Sequence, residues 1–147
     1  DIELDVKMDA YIPEDYISSS SSRMDCYKQI AEISTDEDRI RVVNSLEEYY
    51  GKIPYEVENL ILIAGLKSAA RKRGAIKIVV GAKKSYIELR NLQCLQTDGF
   101  IDELTAKKNE ISLEFAASPV IDFTRSGKNP EEVAEFMLKT LSFQNDR

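Results

Sequence analysis

Between Ile2 and Ile12 the apolar residues Ile2, Leu4, Val6, Met8, Ala10 and Ile12 fall on every second position, with Glu3, Asp5, Lys7 and Asp9 between them. A period of two is that of a strand with one buried face, so residues 2–12 are expected to form a half-buried strand. Pro13 has no amide proton to give to a ladder and holds Ile12 extended. The strand is therefore expected to stop there and turn, through Glu14 and Asp15, toward a helix.

Downstream the period changes. The five serines at 18–22 have no apolar partner and read as a mobile loop. A helix is expected over residues 23–33 with Met24, Tyr27, Ile30 and Ala31 inward. Thr35 and Asp38 have the spacing of a capping box and open a second helix that ends at Gly51, with Ile40, Val43, Leu46 and Tyr50 as its buried stripe. Pro54 suits the first turn of a third helix, apolar on more than one face through Val57, Leu60, Ile61, Ile63, Ala64 and Leu66. It is expected to end near Gly74, with Arg71, Lys72 and Arg73 at its negative end.

From Ala75 onward short apolar runs dominate. Ile76, Ile78, Val79 and Val80, then Tyr86, Ile87 and Leu89, predict a hairpin joined around residues 82–85. Thr97 or Asp98 is expected to cap a short helix carrying Phe100, Ile101 and Leu104. A second strand pair follows, built on Ile111, Leu113 and Phe115 and on Ile121 and Phe123. Asn129 and Pro130 then open a last helix over about 130–142, with Val133, Phe136, Met137, Thr140 and Leu141 on one face. Blocks of helices and hairpins predict an α+β fold, a single domain with helices packed on a mostly antiparallel sheet. Its helical part is expected over about 23–74 and its strand-rich part over about 75–124.

At 147 residues the chain is large enough to bury a core without disulfides or metal. It opens on Asp1 inside a strand pattern, and so reads as a piece of something longer. Cys26 and Cys94 lack C-x-x-C spacing and the chain has no histidine, which argues against structural zinc and suits a reducing, cytoplasmic setting. The longest apolar run, residues 60–66, is too short to span a bilayer. No membrane contact is expected, and the isolated chain is expected to be monomeric.

The chemistry is limited by what is missing. Glycines stand singly, with neither a G-x-x-x-x-G-K-[ST] loop nor a G-x-G-x-x-G turn, so no nucleotide cofactor is expected here. Without histidine there is no Ser-His or Cys-His nucleophile pair. Carboxylate pairs at Glu14-Asp15, Asp36-Asp38 and Glu131-Glu132 each sit where a turn or a helix start explains them. A small carboxylate-dependent enzyme stays open as an alternative, as does a free-standing interaction module. The net charge of −6 hides an acidic first part and a basic segment at residues 67–84. In that segment Lys67, Arg71 and Lys77 are candidates for sequence-independent contact with DNA phosphates.

The turn Ala10-Tyr-Ile-Pro-Glu-Asp-Tyr-Ile17, then Arg23, Tyr27 and Lys28 in an R-x-x-x-Y-K pattern, then Tyr50-Gly-Lys-Ile-Pro54, form a longer signature. It resembles the start of the C-terminal domain of the bacterial transcription-repair coupling factor, a DNA translocase also called Mfd. The resemblance is carried by the first half of the chain and continues beyond Gly74 in the order of elements. It implies a non-catalytic, autoinhibitory domain without its own cofactor, the ATP and Mg being held by the motor domains of the parent. That domain would contact an intramolecular N-terminal module resembling UvrB and mask the surface that binds UvrA. RNA polymerase and DNA are then engaged through the parent. The family's acidic positions late in the second helix fall on Ser45 and Glu48, with Glu47 beside them. Glu48 keeps the charge and Ser45 does not.

Overall fold

In the computed structural model residues 1–143 are described, in the order β1 (Glu3–Val6), α1 (Ser20–Ala31), α2 (Asp36–Tyr50), α3 (Tyr55–Lys72), β2 (Ala75–Val80) and β3 (Ser85–Leu89). A 3-10 turn (Leu92–Leu95), α4 (Phe100–Ala106), β4 (Ser112–Glu114), β5 (Val120–Asp122) and α5 (Pro130–Leu141) complete them. The class is α+β, as expected. Contacts group these elements into two compact units, a helical one over Met8–Ser68 and a sheet unit made of Asp1–Lys7 with the chain from Ala69 onward.

The helical unit buries Ile12, Ile17, Cys26, Ile30, Ile33, Leu46, Ile53, Val57 and Ile61 as one cluster. Its first helix corrects the serine-loop expectation. Ser19 is the N-cap, its hydroxyl accepting from the Ser22 amide, and Ser20, Ser21 and Ser22 are the first turn. Serine at a cap satisfies an orphan donor, and serine in a first turn costs little. The inward face also differs: Cys26 and Ile30, and Ile33 just beyond the helix, point in, while Met24, Tyr27 and Ala31 are exposed.

In α2 the Thr35 capping box is present, with Asp38 at its N3 position, and Gly51 closes the helix at φ 86°. Only Leu46 of the expected stripe is fully buried. Val43 is half-buried, whereas Ile40 and Tyr50 are exposed. Pro54 immediately precedes α3 and its carbonyl accepts from the amides of Val57 and Glu58. The aliphatic residues of α3 are buried or half-buried throughout, with Val57 and Leu66 fully so, while Tyr55 at its start is exposed.

The five-stranded sheet has the order β1-β2-β3-β5-β4, with β1 parallel to β2 and the other pairs antiparallel. The parallel pair places all of α1, α2 and α3 between two adjacent strands. The first strand is shorter than its alternation: it ends at Val6, and the last bond of that edge runs from the Lys7 amide to the Val80 carbonyl. Beyond Val80 the chain of β2 turns into its hairpin, so residues 8–12 have no strand to pair with.

Ile78, Val80, Ile87, Leu89 and Ile121 on one face of the sheet are completely buried, with Phe123, Phe100, Ala134 and Met137. Helix α5 packs against β2, capped by the Asn129 side chain, which accepts from the Glu132 amide, with Pro130 at its start. Neither Thr97 nor Asp98 caps α4 with a side chain. Gly99 takes that place in a left-handed conformation, and the Phe100 amide bonds the Thr97 carbonyl instead. Gly74, between α3 and β2, has φ 81°, and a Cβ there would strike the Cys94 sulfur. Cys26 and Cys94 are both free thiols.

The register puts two rows of side chains on the opposite face: Asp5, Val79, Tyr86, Asp122 and Ser112, then Glu3, Lys77, Glu88, Val120 and Glu114. None of these ten is buried.

Candidate interaction surface

The signature residues of the helical unit are tied to one another by side-chain to backbone bonds. Pro13 opens a turn in which its carbonyl accepts from the amides of Tyr16 and Ile17. Ile12 and Ile17, on either side of that turn, are both in the core. Tyr27 holds the entry: the Ile12 amide donates to its hydroxyl at 2.8 Å. Arg23 holds the exit, donating to the carbonyls of Ile17 at 2.8 Å and Ser18 at 3.0 Å, with the Glu14 carboxylate 3.9 Å away. Tyr16 reaches across to the end of α2, where its hydroxyl lies 2.9 Å from the Gly51 carbonyl and 3.3 Å from that of Leu46. Burial raises the pKa of that hydroxyl, and the negative charge of Glu47 adds to the effect, so it remains a donor. Asp9 completes the clasp, accepting from the Tyr55 hydroxyl and, through its carbonyl, from the Asn59 amide group. The motif is therefore architecture.

What this clasp presents to solvent is the last turn of α2. Glu47 and Glu48 are exposed, as their spacing from Leu46 requires, and Ser45 is half-buried. Tyr49 is 77% exposed, the most open of the large hydrophobic side chains. Its ring lies 6.3 Å from that of Tyr50, which in turn tilts against Tyr16 at 5.8 Å. Two carboxylates and an aromatic in tilted ring contact, on a helix end tied to Tyr16, make a surface that a partner can read. Tyrosine is enriched at the energetic centres of interfaces. Tyr49 escaped the reading of the sequence, although a tyrosine between a glutamate and a second tyrosine at a helix end was signal enough to mark it.

The basic candidates are placed differently. Lys67 is half-buried and Arg71 exposed on α3. Lys77 already has partners: its ammonium is 3.6 Å from Glu3 and lies over the Tyr86 ring. A hydrogen bond to Tyr86 and then the charge of Glu3 raise its pKa. Arg73, expected to serve the end of α3, instead serves α5. It donates to the carbonyls of Leu141, at 2.9 Å, and Phe143, and stacks 4.2 Å from the centre of the Phe100 ring. Burial lowers its pKa.

The carboxylate pairs are occupied structurally. Asp38 accepts from the amides of Ser34 and Thr35, Asp36 meets Arg39 at 2.9 Å, and Glu132 accepts from the Lys128 amide. Among the described residues no group of three His, Cys, Asp or Glu side chains could hold a metal ion, and no helix is long and apolar enough to cross a membrane.

A model of the TRCF domain family matches residues 6–100, more than half of the chain. The chain belongs to the TRCF domain family. This TRCF domain is 37% identical over 70 residues to the transcription-repair-coupling factor of Bacillus subtilis, a match covering 48% of the chain and 6% of that protein. It is 25% identical over 142 residues to that of Borreliella burgdorferi, covering 95% of the chain and 13% of the relative. The Mycobacterium bovis protein of the same name is 33% identical over 92 residues, covering 63% of the chain and 7% of the relative. The chain thus spans a small part of the length of these relatives. Its fold is that of a crystal structure of the C-terminal domain of transcription-repair coupling factor, with a TM-score of 0.79 at 21% identity, over 95% of this chain and 91% of the other.

Proposed function

We propose that this TRCF domain is the non-catalytic, regulatory C-terminal part of a transcription-repair coupling factor, and that it holds its parent closed through the end of α2. The observation that carries this reading is the exposed Glu47, Glu48 and Tyr49 on a helix end that the family signature itself fixes in place. Ser45, half-buried beside them, shapes the contact without contributing charge. The partner is the UvrB-like N-terminal module of the same polypeptide, and the consequence of the contact is that the UvrA-binding surface is masked.

The parent is a cytoplasmic, ATP-dependent DNA translocase that displaces stalled RNA polymerase, with ATP and Mg in its motor domains. Exposed ion pairs contribute only about 0.2–1 kcal/mol each. Tethering offsets that weakness, because a linked partner is present at roughly millimolar effective concentration. A latch built this way opens when polymerase or DNA binds the open form better.

The test reverses both charges, Glu47→Lys with Glu48→Lys, in the full-length parent and measures UvrA binding and ATP turnover without polymerase. Both are expected to rise. Unchanged values in both assays would remove this helix end as the latch.

A further inference from the structure

The uncovered face of the sheet has an uneven charge distribution. On the β1–β2 side the acids are matched: Glu3 faces Lys77 and Asp5 faces Lys7, each pair at 3.6 Å. On the β3–β5–β4 side they are not. A groove there is lined by Tyr86, Glu88, Ser112, Glu114, Val120 and Asp122 among others. In register, Glu88 and Glu114 stand on either side of Val120, and neither carboxylate has an ion pair among the described residues. Asp122 accepts from the Thr124 amide; Lys84, which lines the groove, lies over the Tyr86 ring at 5.4 Å, and Lys77, opposite Glu88 in the register, lies over the same ring at 5.9 Å. The groove is therefore polarised along its strands. Its Tyr86 end is near neutral, and its Glu88–Val120–Glu114 end keeps an excess of negative charge around an apolar floor, because Lys77, next to Glu88 in the register, is shared with Glu3.

We propose that this groove is a docking surface for a basic amphipathic helix of a partner protein. Helices are the usual cover for an open sheet face. Three strands set their outer members about 10 Å apart, which is about the width of one helix with its side chains. An apolar residue of the helix rests on Val120 and Tyr86, while lysines or arginines flanking its apolar stripe meet Glu88 and Glu114. The match in charge sets orientation and association rate as well as affinity. The groove shares no residue with the α2 end and does not depend on the role given to it above.

The probe is a fluorescein-labelled synthetic helix with leucines along one face and arginines on both flanks, its binding to the 147-residue chain followed by anisotropy. Glu88→Lys with Glu114→Lys is expected to weaken binding by about tenfold or more. Ser112→Arg adds a cation to the same groove without removing a core contact, and is expected to weaken binding in the same direction. Reversing Glu47 and Glu48 is expected to leave it unchanged, and a peptide with glutamates in place of the arginines is expected not to bind. Equal loss from the groove and α2 variants would mean charge attraction without a site and would overturn the proposal. So would binding indifferent to both groove variants, binding of the glutamate peptide, or no binding of the arginine peptide to a chain that circular dichroism shows to be folded.

Discussion

The helical unit and the sheet unit hold themselves together by different means. In the helical unit, irregular backbone at residues 8–19 is fixed by individual side chains, with Tyr27, Arg23, Tyr16 and Asn59 each spending polar groups on a backbone carbonyl or amide. In the sheet unit the backbone pairs with itself, and stability rests on completely buried residues such as Ile78, Ile87, Ile121 and Phe123. Bonds that require a particular donor at a particular position leave a literal signature in the sequence. Strand pairing asks only for apolar residues of about the right size, and leaves a pattern. That difference explains why the helical unit carries a short literal motif while the strands carry only an apolar pattern.

The sharpest way to probe this contrast is to remove volume from the sheet. Ile87→Ala is expected to cost about 2–5 kcal/mol in urea unfolding, because the side chain is fully enclosed. A loss below about 1 kcal/mol would mean that packing does not carry this unit. Next comes a place where the sheet unit relies on a charged side chain in the manner of the helical unit. Arg73→Ala is expected to cost about 1.5–3 kcal/mol, since two carbonyls at the end of α5 lose a charged donor. Hydrogen exchange should localise the effect to α5.

In the helical unit Tyr27→Phe removes a single acceptor from the Ile12 amide, and a cost of about 0.5–1.5 kcal/mol is expected. Thr140→Val tests the opposite sign. The Thr140 hydroxyl is buried on α5 without a hydrogen-bond partner, so its replacement by a methyl should raise the melting temperature, with a gain of about 1 kcal/mol. The smallest effect concerns acid. The Ser34 amide, helped by Arg41 and Thr35, holds the Asp38 carboxyl below the usual carboxylate range. A lowered folded-state pKa contributes stability above the unfolded value, about 4, and loses it as pH falls through the folded one. Asp38→Asn should therefore be less stable than the unmodified chain at neutral pH, and the difference should close in acid. A gap that persists at pH 2 would point to something other than the charge.

Elements whose determinants are local were legible in the sequence. The capping box at Thr35 and Asp38, the Gly51 stop, the Asn129-Pro130 start and the antiparallel pairs β2–β3 and β4–β5 follow from residues a few positions apart. Elements set by distant partners were not. Alternation through Ile12 records burial on one side, but a ladder needs a neighbour, and β2 supplies one only as far as Val80. The serine run misled for the converse reason, since a cap bond from Ser19 outweighs a composition that looks like a loop. At the candidate surface the exposure of Glu47 and Glu48 followed from helical spacing. Tyr49 did not stand out, because Tyr50 was expected in the core and instead packs on Tyr16.

The parallel pairing of β1 with β2 also bears on how the chain folds. Closing it brings together strands separated by every residue of α1, α2 and α3, and the entropy lost in closing such a loop is not returned until the contact forms. Hairpin β2–β3 and the three helices, whose contacts are local, should assemble first and leave the four residues of β1 to dock late. In a refolding experiment, protection of the Lys7 amide would then be among the last signals to appear.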